Sequence, residues 1–201
     1  MEHIRRILKR RHPKLIIDFS FEAFGTDVPN IAALRFSEIH HVSNTSANEP
    51  NIQSIDRVRR SFYRWLKKLP PERILNGLLS IQGERGVEYF LTSLIGAPLV
   101  AGDLIHLDST IRQRIRVFCD AFHRMAALGP MTEFRVVADT EEVDGFMRHA
   151  KDGHGFLCLF NRTDRHVKIE IPDGFFAENV ETGDSSVTAE PQSCTMFTLC
   201  R

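Results

Sequence analysis

Cysteine, tryptophan and net charge are all scarce in this chain. Its 201 residues include four cysteines and one tryptophan, and 26 acidic residues cancel 26 basic ones. Cys119, Cys158, Cys194 and Cys200 form no Cys-x-x-Cys pair and have no histidines at zinc-ligand spacing, which argues against a metal site. Cys158 lies in the apolar run Gly155 to Phe160 and Cys119 on a helical apolar face, so both read as small buried hydrophobes of a reducing compartment, not as a disulfide framework. The cancelled charge excludes an overall pull toward nucleic acid or an anionic membrane. No apolar run approaches the ~20 residues of a membrane span, and the charged start lacks the apolar core of a signal peptide. The expected location is therefore cytoplasmic, unless a signal peptide belonged to a front part that this sequence lacks. Two basic clusters, Arg5, Arg6, Lys9, Arg10, Arg11 and Arg57, Arg59, Arg60, Arg64, Lys67, Lys68, alternate with apolar residues at helical spacing. They read as solvated helix faces in preference to phosphate-binding patches.

What is present is an ordinary core-forming composition, 42% hydrophobic, enough for one large domain or two small ones. Ile4, Ile7 and Leu8 predict a helix from Met1 to Arg11, stopped by His12-Pro13 and read as the last turns of a crossover helix. A strand is expected at Lys14 to Phe19, a helix near Ile31 to Phe36 and a strand near Glu38 to Val42. A polar loop from Ser43 to Asn51 precedes a helix from about Ile55 to Leu69, and Val87 to Ile95 reads as another helix. Ala97 to Asp103 reads as a third strand. Asp108 is a plausible N-cap for a long helix ending at Leu128, with Ile111, Ile115, Phe118, Phe122 and Met125 on its buried side and Gly129-Pro130 as its stop. Alternating helices and strands are the rhythm of a barrel or a doubly wound sheet.

After Gly129 the period changes to two. Gly155 to Phe160, His166 to Ile171, Phe175 to Val180, Ser185 to Thr188 and Cys194 to Cys200 are short strand-like runs separated by turn signals. Hairpins this close cannot supply parallel crossovers, so a small antiparallel sandwich is expected.

The chemistry-bearing residues gather where strands should end. Lys14-Leu15-Ile16-Ile17-Asp18-Phe19-Ser20-Phe21-Glu22 delivers Asp18 and Glu22 at such a place, and in (β/α) barrels the active site is built there. Either carboxylate could instead cap a helix or pair with Arg35 or Arg57. Asp103 ends the third strand, although an Asp after Gly is also an ordinary turn residue. His40 and His41 could donate hydrogen bonds to sugar hydroxyls, but one of two adjacent strand histidines is expected to face the packing. Tyr63 and Trp65, on an amphipathic helix, read as packing residues before sugar platforms.

The order IIDFSFEAFG, HHVSN, a basic and aromatic helix, LIGAPLVAGD, a long helix and a terminal sandwich resembles the C-terminal half of alpha-galactosidase-like glycoside hydrolases, the clan of retaining alpha-galactosidases and raffinose synthases. The resemblance implies a (β/α)8 barrel followed by an antiparallel β-sandwich, with the first strand here matching roughly the sixth of the barrel. It also implies a retaining mechanism with two carboxylates flanking the glycosidic bond. The nucleophile belongs to an earlier strand that no position here matches. The acid/base of the family is the Asp of a Ser-Asp loop motif, and Ser43-Asn44 stands in its place; asparagine has no proton to give at neutral pH. The roles are thereby assigned to Asp18 and Glu22 as candidate catalytic carboxylates, with Glu49 a further possibility, and to Asn44, His41, Asp103 and Arg57 as candidate sugar contacts. No cofactor and no metal is implied.

The expected fold class is α/β plus all-β: a partial (β/α) barrel of the last three βα units over residues 1–130, then an antiparallel β-sandwich over 131–201. The expected partner is a carbohydrate substrate, with no nucleic acid and no membrane. A different class of function remains open, a non-catalytic subunit or scaffold that pairs through its open sheet edges with another copy or with a chain supplying the first strands. A carbohydrate-binding sandwich is a third, poorly supported by so few aromatic platforms.

Overall fold

Helix α1 spans Glu2–Arg11 and ends as expected before His12-Pro13, the His12 amide closing on the Leu8 carbonyl at 2.8 Å. Its apolar residues do share a face, yet none of its ten residues is buried. The computed structural model describes residues 1–18, 35–41, 55, 59–60, 62–64, 66–67, 69–75, 79–172, 174–178 and 185–201. The expected helix at 31–36 and much of the loop 43–51 lie outside these residues.

Behind α1 runs a set of short parallel pairings in sequential order. Asp18 bridges Ile39, β1 (His40–His41) pairs with β2 (Ile74–Leu75), Leu75 bridges Ala97, and β3 (Leu79–Ser80) pairs with β4 (Val100–Ala101). All are parallel, and the segments between them contain helix: residues 55, 59–60 and 62–64 before β2, and α2 (Gly86–Ser93) before β4. Strands β2 and β3 were not expected. Each is described over two residues, too short for any periodicity to register, and β2 follows Pro70-Pro71. At Gly96 the chain comes so close to β2 that an added Cβ would lie 2.1 Å from the Ile74 carbonyl oxygen, which accepts the Ala97 amide at 2.7 Å. Only glycine lets that bridge form.

Helix α3, Ser109–Leu128, fulfils its sequence signals. The Asp108 carboxylate accepts the Thr110 and Ile111 amides at 2.8 and 3.1 Å, and Gly129 at φ 151° ends the helix. Those Ile111 and Thr110 amides hold Asp108 below the usual aspartate range.

The remaining chain forms a five-stranded antiparallel sheet ordered β5–β6–β7–β11–β9, from Glu133–Asp139, Val143–His149, Gly155–Asn161, Ser193–Cys200 and Phe176–Ala177. A two-stranded antiparallel pair joins β8 (Val167–Glu170) to β10 (Ser186–Ala189). Strands β5 and β6 replace what the sequence had left without strand signals. The strand pleat sends Phe146, Phe156, Cys158, Phe160 and Met196 to one face, where they join residues of α2, α3 and the helical segment around Phe62 in one core. Met147, Leu157, Leu159 and Leu199 point to the other face and meet Ile171, Phe175, Val187 and Ala189 in a second core. The central strands are thus covered on both faces, which explains why every residue of β6 and β7 is buried. Cys158 is fully buried and burial pushes its thiol far up, as expected of a small hydrophobe. Among the described residues no helix is long and apolar enough to cross a membrane.

Candidate functional site

Within each parallel pairing the strands run the same way, and the candidate residues are placed by these pairings. Asp18, in the first segment, is exposed and makes the parallel bridge to Ile39. That segment is held from behind: the Glu38 carboxylate accepts the Ile17 amide at 2.9 Å and pairs with Arg5 and Lys9 at 3.0 Å each, and Lys9 also donates to the Leu15 carbonyl. Burial opposes the charge on Glu38, but Lys9, the Ile17 amide and Arg5 together hold its carboxyl below the usual 4.5. A depressed carboxyl stabilises the fold fully above its unfolded value and loses that contribution as pH falls through the folded one. Acid titration of stability below about pH 4.5 is therefore expected to be shallower in Glu38→Gln than in the parent chain, measured as the thermal midpoint against pH.

His41 lies two residues past Ile39, the partner of Asp18, so the two candidates occupy neighbouring strands. Both His40 and His41 are buried, at 2% and 8% exposure. One was expected to face away from the packing. A parallel strand covered on both faces has no exposed side, which removes the distinction.

Asp103 lies just past β4. Gly102, at φ 135°, makes the turn, and the Gln82 side-chain amide donates to the Asp103 carbonyl at 2.9 Å. The Asp103 carboxylate accepts the Ile105 and His106 amides at 3.0 and 3.2 Å and meets the His106 ring nitrogen Nδ1 at 2.5 Å. The His106 imidazole, more than any other group, holds Asp103 below the usual aspartate range, its own amide adding to the effect. Asp103 is thus a turn-capping residue that keeps an exposed His106 oriented at the strand end, where Leu104 and Ile105 are also exposed. Glu22, Asn44, Glu49, Arg57 and Trp65 lie outside the described residues.

Sequence reasoning missed the largest cluster of charge. Arg59, read as part of a solvated helix face, is fully buried. Its guanidinium donates to Asp144 at 3.2 and 3.0 Å, to Glu88 at 2.9 Å and to Thr92 at 3.0 Å, and lies 4.1 Å from the centre of the Phe160 ring. Tyr63 donates to Asp144 at 3.1 Å and Arg162 does so at 2.9 Å. Burial, and then the Asp144 charge, push the Tyr63 hydroxyl far up. Arg60, Arg64 and Lys67 on the same segment are exposed as expected. The signal that could have separated Arg59 is its spacing, three before Phe62 and four before Tyr63 and four after Ile55, on the buried stripe. Its partners Glu88 and Asp144 are distant in sequence. No group of three or more metal-binding side chains occurs among the described residues.

No protein-family model matches this sequence, and no curated protein matches it. Solved structures do. A β-L-arabinopyranosidase from Geobacillus stearothermophilus superposes on 98% of this chain and 52% of its own, with TM-score 0.63 and 11% identity. A cyclic alpha-maltosyl-(1→6)-maltose hydrolase from Arthrobacter globiformis covers 98% of this chain and 52% of its own, at TM-score 0.60 and 13% identity. The chain has a glycoside-hydrolase-like fold. A candidate alpha-galactosidase from Bacteroides fragilis matches 85% of this chain at TM-score 0.56 and 14% identity, over 44% of its own length. The glycoside-hydrolase-like fold here spans about half the length of these neighbours, and at such identities the likeness is one of fold alone.

Proposed function

We propose that residues 1–130 correspond to the last βα units of a (β/α)8 barrel of alpha-galactosidase type, that residues 131–201 are its β-sandwich, and that carbohydrate binds at the C-terminal ends of the parallel strands. What supports this reading is the sequential parallel order Asp18, β1, β2–β3, β4, followed by an antiparallel sheet, in a chain whose fold matches glycoside hydrolases over almost its whole length. In such barrels the strand ends carry the chemistry. Asp18 and Glu22 are assigned as the carboxylates nearest the reacting bond, and His41, Asn44, Asp103 and Arg57 as contacts to sugar hydroxyls. Double displacement needs a second carboxylate across the glycosidic bond; the clan supplies it from a strand ahead of those matched here. The chain alone is therefore assigned binding, with hydrolysis conditional on further strands.

Sugar binding by the isolated chain tests this. Titration of methyl α-D-galactoside and methyl β-L-arabinopyranoside, followed by NMR, is expected to shift His41 and residues 101–106 saturably and to weaken in Asp18→Asn. Shifts confined to other surfaces, or none at all, would remove the reading.

A second reading, a non-catalytic subunit that pairs through its sheet edge, is favoured by one observation. Met1, Ile4, Ile7, Leu15 and Ile16 are all more than a third exposed, a concentration of apolar surface around α1 and the segment that leads to Asp18. The native mass of the purified chain separates the readings: a stable assembly without sugar binding supports pairing.

A further inference from the structure

The cavity between α2, α3 and the ends of β7 and β11, about 260 Å³ in volume, plays no part in the strand-end reading. Three guanidinium groups from three elements converge on it: Arg85 before α2, Arg114 on α3 and Arg162 after β7. Bringing like charges together is unfavourable unless something offsets them. Arg162 is fixed by Asp144 at 2.9 Å and by the Glu141 carbonyl at 3.1 Å. Among the described residues Arg85 donates to Glu88 at 3.3 Å, and Arg114 to the Cys194 carbonyl at 3.0 Å. Each guanidinium carries five N–H donors, so both retain donors beyond those bonds. Among the described residues the lining itself carries three cations, Arg85, Arg114 and Arg162, against two carboxylates, Glu84 and Glu88. Glu88 and Asp144 are already engaged by arginines, whereas exposed Glu84 stands at the rim as an acceptor.

We propose that this cavity binds a small polyol bearing one oxyanion group, a carboxylate or a phosphate, with Arg85 and Arg114 donating to the oxyanion and Glu84 accepting from hydroxyls. Planar guanidinium forks suit both kinds of oxyanion. The volume limits the ligand to about one sugar unit. None of the described residues lining it is among the strand-end candidates, so the two sites are tested by different variants.

Calorimetric titration of the full chain at low salt, with D-glucuronate, D-glucose 6-phosphate, inorganic phosphate and D-glucose, tests the proposal. Saturable one-to-one binding of glucuronate or glucose 6-phosphate is expected, with glucose at least about tenfold weaker, since a charge-assisted hydrogen bond contributes more than a neutral one. Whichever of the two binds tighter names the oxyanion. Arg85→Gln and Arg114→Gln should each weaken binding about tenfold, roughly the effect of one such bond; both side chains are at least a third exposed or on an exposed helix face, and thermal melts verify folding. No saturable binding of either polyol anion, or unchanged affinity in the folded double variant, overturns the proposal. Inorganic phosphate binding as tightly as glucose 6-phosphate overturns the polyol part.

Discussion

Asp144→Ala is expected to lower stability by about 3–5 kcal/mol, because it removes the carboxylate from a buried cluster and leaves the guanidinium groups it served without their counter-charge. In a chain of this size that moves the melting midpoint by roughly 10 °C. The expectation rests on burial: Asp144 is 3% exposed, Arg59 is fully buried, and Asp144 accepts from Arg59, Tyr63 and Arg162 at once. An exposed pair would contribute under about 1 kcal/mol. Adding Arg59→Met should restore part of the loss, since the second substitution removes one stranded charge, and the non-additivity of the pair measures their coupling. Urea unfolding of the two single variants and the double variant checks this. Simple additivity would mean that the cluster is not one unit.

Arg148→Met is the second large effect. Arg148 comes from β6 and is 4% exposed, yet its Nη1 donates to the carbonyls of Leu94 and Gly96 at 2.8 and 2.6 Å and its Nη2 to that of Met131 at 3.2 Å. It thus closes the C-terminal end of α2 just before the Ala97 bridge. Burial pulls its pKa down to about 10, so at neutral pH it remains a cation. Methionine fills a similar volume but leaves three buried carbonyls without that donor, at a cost of about 1–3 kcal/mol for a single orphaned group. The total expected loss is about 3 kcal/mol in urea, larger than for Arg148→Lys, whose single nitrogen cannot also span to the Met131 carbonyl. Hydrogen exchange should locate it: the amides of Ala97 and Ile81, bonded to Ile74 and Ala101, are expected to lose protection first. Unchanged exchange there would mean that β6 does not support the parallel strands.

Asp144 and Arg148 flank Phe146 on the face of β6 that meets the helices, one receiving Arg59 and Tyr63, the other gripping the end of α2. The antiparallel sheet is thereby fastened to the helical layer by charge at both ends of an aromatic row. This is also why β6 was invisible in sequence. Val143-Asp144-Gly145-Phe146-Met147-Arg148-His149 alternates neither as a half-exposed strand nor as an apolar run, because Asp144 and Arg148 are held largely by distant residues, Arg59 and Tyr63 for the first and Leu94 and Gly96 for the second. By contrast α3 was legible from end to end, since Asp108, the apolar stripe and Gly129 act within a few residues of one another. The parallel segments were legible in kind and incomplete in number, because a two-residue strand such as Ile74–Leu75 is defined by its neighbours and not by its own pattern. Of the candidate residues, Asp18 and His41 lie in parallel pairings and Asp103 just past β4, as their strand patterns led one to expect. The sequence could not reveal that both histidines are buried or that Asp103 orients His106.

The central claim, a glycoside-hydrolase-like chain whose chemistry lies at the ends of its parallel strands and depends on further strands, is tested most directly by assaying the purified chain on a panel of p-nitrophenyl glycosides, alpha-galactoside included, with native mass measured on the same sample. The account predicts a silent monomer, and activity that appears only when the remaining barrel strands are supplied and is lost with Asp18→Asn. Hydrolysis by the monomer alone would contradict it.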